Sequence, residues 1–184
     1  MRTHVQTPLG RGKLEFLAFC FSFLVQPETR NPKLTTRNWK PKTRNQKLMD
    51  AKVTEIQFVP KGDERGQLIA LEALSEQVPF EVKRVYYIFD TTPGTIRGNH
   101  AHKELKQVLI CVSGACTIVC EMPDGTTSET RLDWPNRGLL IEGLVWRQMK
   151  DFSKDAVLIV LASDHYDEAD YIRDYNQFKK ECAR

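Results

Sequence analysis

The amino-acid sequence predicts an all-β fold, a sandwich or barrel of short strands closed by one short C-terminal helix. Three observations carry this. From Lys52 onward, short apolar runs alternate with turn residues. Two-residue hairpin signals, Ser113-Gly114 and Asp124-Gly125, stand between such runs. Helical spacing appears only at the end of the chain.

In order, VTEIQFV (53–59) alternates with period two and reads as the first strand. KGDERG is a turn, and QLIALEAL a second strand. VPFEVKRVYYIFD (78–90), rich in β-branched and aromatic residues, reads as one long strand. TTPGTIRGN is a loop. KQVLICV and ACTIVCEM form a hairpin, TTSETRL follows Asp124-Gly125, and LDWPNRG turns the chain into LLIEG and VWRQMKDF. DAVLIVLAS (155–163) is a near-continuous apolar strand. In DEADYIRDYNQFKKEC, Tyr171, Ile172, Tyr175 and Phe178 fall at helical spacing, with acids early and lysines late, as a helix dipole favours.

The net charge of +3 hides an asymmetry. Residues 1–48 carry ten Lys/Arg against two Asp/Glu, a net of +8; residues 49–184 carry seventeen against twenty-two, a net of −5. The body has no basic stripe, which excludes nucleic acid as its partner. Leu14–Val25 is apolar but too short to span a bilayer, which needs about 20 residues. Preceding Arg2, Arg11 and Lys13 suggest a signal peptide, yet no small-residue cleavage site follows. Residues 1–48 therefore read as a non-structural basic leader, disordered or translated from a misplaced start, and 49–184 as the folded domain. The five cysteines form no CxxC pair and mostly lie in apolar runs. They read as buried thiols of a reducing compartment, with a Cys111–Cys120 disulfide as the alternative.

The chemistry concentrates in RGNHAHKELKQ (97–107). If residues 100–102 are extended, His100 and His102 project to one face. Gln107, Leu109 and Cys111 continue one face of the next strand, and Val108, Ile110 and Val112 the other. The spacing Gly94, five residues, His100, one residue, His102, four residues, Gln107, six residues, Gly114 reproduces the first cupin motif. That motif ordinarily has glutamate where this chain has Gln107. The second cupin motif supplies a further histidine, but the matching segment, Glu142-Gly143-Leu144-Val145-Trp146, ends in tryptophan. Two of four ligand positions thus hold groups that bind metals poorly, so no metal is expected. Two imidazoles in a lumen without a metal are suited to moving protons near neutral pH, although paired structural histidines are the plainer alternative.

RGQLIALEA, PFEVKRVYYIFD, RGNHAHKELKQ, VSGACTI and DFSKDAVLIVLASDHYDEADYIRDYNQF together closely resemble the nucleotide-sugar 3,4-ketoisomerases of the WxcM-like cupin group, from about Lys52 to Lys180. The resemblance implies a cytoplasmic, cofactor-free isomerase with a cupin jelly roll, a homodimer whose subunits exchange N-terminal strands. It implies conversion of dTDP-4-keto-6-deoxy-glucose to the 3-keto sugar. The product would feed an aminotransferase making a 3-amino-3,6-dideoxyhexose for surface polysaccharide, such as a lipopolysaccharide O-antigen or an S-layer glycan. It also places the active site on His100, His102, Arg97 and one tyrosine of the Tyr86-Tyr87 pair.

The reaction needs one base and a nearby acid, and no redox cofactor, because the electrons stay in the substrate. His100 is expected as the base, His102 as its relay or positioning partner, and Tyr87 rather than Tyr86 as the acid, one of that pair having to face away. Arg97 and, less directly, Arg65 suit the diphosphate, with solvated surface arginine the alternative for Arg65. Gln107 is expected to line the substrate site. Trp146 is expected to line the lumen or stack on a ring, against plain core packing. Rival readings are a 3,5-epimerase, which needs a His–Asp dyad although no acid is evident for His100, a metal-dependent oxygenase, and a non-catalytic sugar-nucleotide sensor.

Overall fold

In a computed structural model of the chain, Thr43 and residues 50–183 are described. The predicted leader, apart from Thr43, lies outside them. The elements are β1 (Lys52–Gln57), β2 (Lys61–Asp63), β3 (Gly66–Leu68), β4 (Arg84–Ile88), β5 (Arg97–His102), β6 (Gln107–Ser113), β7 (Cys116–Glu121), β8 (Thr127–Leu132), β9 (Arg137–Glu142), β10 (Trp146–Lys150), β11 (Val157–Ala162), β12 (Tyr171–Ile172) and the helix α1 (Tyr175–Ala183). One antiparallel sheet runs β1-β9-β6-β11-β4 and the other β12-β5-β10-β7-β8; β2 and β3 pair only with each other. The expected all-β jelly roll with a terminal helix is what forms.

Alternation along the strands builds the core. Leu109 and Cys111 of β6, Leu139 and Ile141 of β9, and Leu158 and Val160 of β11 meet Ile118, Cys120, Leu132 and Met149 from the second sheet. The first sheet is apolar on its outer face too. There Val108, Ile110 and Leu140 lie under Phe58, Val78 and Phe80, which is why VLICV reads as continuous rather than alternating.

Three expected elements differ. QLIALEAL is strand only to Leu68, after which Ile69 and Leu71 turn onto the outer apolar layer. The strand expected over 78–90 is confined to Arg84–Ile88. Val78 and Phe80 pack inward on either side of Pro79, which has no N–H for a ladder. In the tail, a single 3-10 turn forms at Glu168–Asp170 and the α-helix starts only at Tyr175. Tyr171 and Ile172 instead pair with His102 and Ala101 of β5, covering what would be a bare sheet edge. Asp174 then caps the helix, its carboxylate accepting from the N–H of Gln177 at 2.6 Å. Cys111 and Cys120 are both buried as unbridged thiols, so the alternative hairpin disulfide is not made. Among the described residues no helix is long and apolar enough to cross a membrane.

Candidate active site

His100 pairs in register with Arg147 of β10, which in turn pairs with Cys120 of β7. Cross-strand partners share a face, and Cys120 is core, so all three side chains enter the barrel. His100 and His102 stand together as expected, ring centroids 4.9 Å apart and nearly perpendicular. Tyr171 closes over both, 5.0 Å from His100 and 4.2 Å from His102.

The hydrogen bonds decide the tautomers. His100 Nδ1 lies 2.9 Å from the Gly98 carbonyl and His102 Nδ1 lies 2.8 Å from Asp170 Oδ2. Both partners only accept, so each Nδ1 carries the hydrogen and each Nε2 keeps its lone pair. The Nε2 of His102 is buried without a partner among the described residues. Burial, reinforced by the Arg147 charge, lowers His100 to about 4. Burial likewise lowers His102 to about 3, against the raising effect of Asp170. Both rings are therefore neutral bases at pH 7, and the His102–Asp170 contact is a hydrogen bond to a carboxylate rather than an ion pair. Burial alone would raise Asp170. The hydrogen bond from His102, with the backbone N–H groups of Glu104 and Lys103, holds it below its ordinary range instead.

Opposite the histidines, Arg147 Nη1 donates to Gln107 Oε1 at 2.9 Å and Nη2 to the Val145 carbonyl at 2.9 Å. Its Nε is buried without a partner among the described residues. Among the described residues no carboxylate lies within salt-bridge distance of this fully buried cation, a costly arrangement in a mere core. Gln107 Nε2 donates to the Tyr86 hydroxyl at 2.9 Å. Burial raises the Tyr86 pKa, while Arg147 opposes the shift.

The expectation that Tyr87 serves the site is corrected by strand parity. Tyr86 pairs with Val160 and faces the lumen, whereas Tyr87 pairs with Ile159 on the outer face, 62% exposed and against Phe89. The expectation that Trp146 lines the lumen is also corrected. It is buried outside the barrel, beneath Tyr175 and Phe178 of α1; its neighbour Arg147 enters. Arg65 is not brought to the site. It sits on the β2–β3 turn, its side chain 85% exposed and ion-paired with Asp63.

Arg97 comes to share a face of β5 with His100 through an irregularity. Period two would put Arg97 and His100 on opposite faces. The register pairs Arg97 with Met149, Gly98 with Gln148 and His100 with Arg147, so β5 holds one residue more than β10 here. Gly98 (φ 86°) and Asn99 (φ 52°) absorb it. A Cβ on Gly98 would meet the Arg147 carbonyl oxygen at 2.7 Å, so the bulge requires glycine. Arg97 is thereby returned to the inner side at the exposed end of β5. Sequence reasoning missed Arg147 and Asp170. The inward alternation of Arg147 with Met149 was a legible signal; the acid-rich DEAD segment was a weaker one.

The WxcM-like, C-terminal (FdtA) family matches residues 49–183. A TDP-4-oxo-6-deoxy-alpha-D-glucose-3,4-oxoisomerase of Aneurinibacillus thermoaerophilus is 50% identical over 130 residues, 70% of this chain and 91% of that protein. A crystal structure of a 3,4-ketoisomerase from Helicobacter canadensis superposes with a TM-score of 0.68 at 48% identity, covering 72% of this chain and 98% of that one. A histidine-to-asparagine mutant of the 3,4-ketoisomerase QdtA from Thermoanaerobacterium thermosaccharolyticum, in complex with TDP-4-keto-6-deoxyglucose, gives 0.67 at 43% identity, covering 71% and 93%. The paired imidazoles stand in a barrel matched over nearly all its length, and the chain belongs to the FdtA, WxcM-like C-terminal family.

Proposed function

We propose that the chain is a 3,4-ketoisomerase of a dTDP-linked 4-keto-6-deoxyhexose, dTDP-4-keto-6-deoxy-glucose foremost. The observation that carries this is a pair of neutral imidazoles, each with its hydrogen on Nδ1 and a lone pair on Nε2, beside a buried arginine and a tyrosine hydroxyl inside one barrel. The ketone at C4 acidifies the C3 hydrogen. His100, the less enclosed ring, takes that proton on Nε2, while the Tyr86 hydroxyl donates to the C4 oxygen as charge develops there. The resulting enediol loses its C3 hydroxyl proton and gains a proton at carbon C4, giving the 3-ketone. One proton leaves carbon and one returns, so no oxidant or reductant is consumed. His102, held by Asp170, passes protons to and from His100. Arg97, at the barrel mouth, takes the diphosphate; Arg65 is assigned to solvent.

The proposal extends to a cytoplasmic homodimer with exchanged N-terminal strands, supplying a 3-keto sugar for amination toward a surface polysaccharide. Supporting a second copy is an apolar groove of about 690 Å³ on the outer face of the first sheet, with Phe58, Ile110, Trp134 and Leu161 among its walls. Tyr87 and Val85 stand exposed on the same outer face.

The test is NMR of dTDP-4-keto-6-deoxy-glucose with the protein in deuterated water. Carbonyl migration to C3 is expected, lost in His100→Asn and unchanged by EDTA. The His102–Asp170 pair favours one second reading, 3,5-epimerisation, which would instead place deuterium at C5 without moving the carbonyl.

A further inference from the structure

Inside the barrel three side chains from three strands are joined in series: Arg147 of β10, Gln107 of β6 and Tyr86 of β4. The direction of this series is set by chemistry. A guanidinium has donors only, so Gln107 must turn its carbonyl oxygen to Arg147 and its NH2 to Tyr86. The Tyr86 oxygen therefore accepts from Gln107, and its own hydrogen has to point elsewhere. Among the described residues no acceptor takes that hydrogen. Gln107 is 2% exposed and Arg147 fully buried, so water does not offer either an alternative arrangement.

We propose that Arg147 and Gln107 are positioning residues, a one-way hydrogen-bond relay that keeps the Tyr86 hydroxyl turned outward as a donor to the substrate oxygen. This rests on the ketoisomerase reading of the same site and explains why position 107 holds glutamine where the cupin motif ordinarily has glutamate. A glutamate there would accept from Arg147 and also from Tyr86. The phenol hydrogen would swing back to the carboxylate, away from the lumen, although packing and volume hardly change. Arg147 would gain an ion-pair partner, so the variant should fold at least as well.

The groups facing Tyr86 are Arg147 from β10, Tyr171 from β12, Gln107 from β6 and Arg84 on its own strand. Of these, Q107E alters only one, replacing a donor with a negative acceptor, which must raise the phenol's pKa.

The experiment measures ketoisomerase kinetics, with EDTA present, for wild type, Q107E, Q107M, Y86F and the Q107E/Y86F pair. It adds NMR titration of ring-labelled tyrosine, with Tyr86 assigned by its loss in Y86F. Expected is a loss of about 100-fold or more in kcat for Q107E with little change in KM, and a smaller loss for Q107M. Q107E should cost nothing further once Tyr86 is Phe, and the Tyr86 titration should move upward in Q107E. An equal cost of Q107E in the wild-type and Y86F backgrounds would overturn the relay, as would a Tyr86 titration that stays put or falls. If the wild type does not isomerise the sugar at all, the functional reading has failed, and the titration by itself decides the relay.

Discussion

Asp170 holds His102, its Oδ2 2.8 Å from the ring Nδ1, while its Oδ1 accepts the backbone N–H groups of Lys103 at 3.1 Å and Glu104 at 2.9 Å. The two oxygens thus have separate fixed tasks. In Asp170→Asn the amide oxygen stays with the two backbone donors, which leaves the NH2 against His102. The ring must then flip its tautomer, presenting N–H rather than a lone pair at Nε2. The expected outcome is a fold that survives and a kcat lower by roughly 10²–10⁴, the range that general acid–base groups supply, with KM nearly constant. Steady-state kinetics beside a thermal melt check it; an unchanged kcat would remove His102 from proton transfer.

Strand parity separates the two tyrosines. Tyr86→Phe deletes the hydroxyl that Gln107 orients and should lower kcat by about 10²-fold or more. Tyr87→Phe, altering an exposed ring on the outer face, should leave kcat within about two-fold, ordinary for a surface change. Equal losses in the two variants would contradict the assignment.

The histidines set an acid limit. Folded-state values of about 4 for His100 and about 3 for His102 lie below the unfolded value of about 6.5. Between those limits the unfolded chain binds more protons than the folded one, so stability rises with pH across that window and is lost as pH falls through it. The melting temperature should drop from pH 6.5 toward pH 4, and less steeply in His100→Asn. For the same reason the acid limb of kcat/KM should fall well below pH 6.5. A limb at or above 6.5 would show that the base is not held neutral by the barrel.

Trp146 tests the correction to the site. It is 8% exposed and packs on Tyr175 and Phe178. Trp146→Ala should cost about 3–5 kcal/mol in denaturant unfolding, while the fraction still folded keeps a KM close to wild type. A strong KM effect without destabilisation would restore Trp146 to the substrate.

Much of this was legible in the sequence because period two is a local property. Alternation in VTEIQFV and the hairpin signals marked the strands, and the single residue between His100 and His102 placed both rings on one face. Replacement of two metal-ligand positions by Gln107 and Trp146 turned the reading toward proton transfer. Boundaries were less legible where tertiary contacts overrode local preference. Tyr171 and Ile172 keep helical spacing with Phe178, yet the unpaired edge of β5 claims them as strand.

By itself, the sequence determined a β barrel with paired histidines on a shared face and a motif lacking its usual metal ligands. Only the tertiary structure decided which parity faces inward, and with it the choice of Tyr86 over Tyr87 and Arg147 over Trp146. It alone returned Arg97 to the inner side through the Gly98–Asn99 bulge and brought Asp170 to His102 across 68 positions of chain. The reason is that alternation along a strand is fixed by the backbone of that strand, whereas inside and outside are defined by the sheet packed against it.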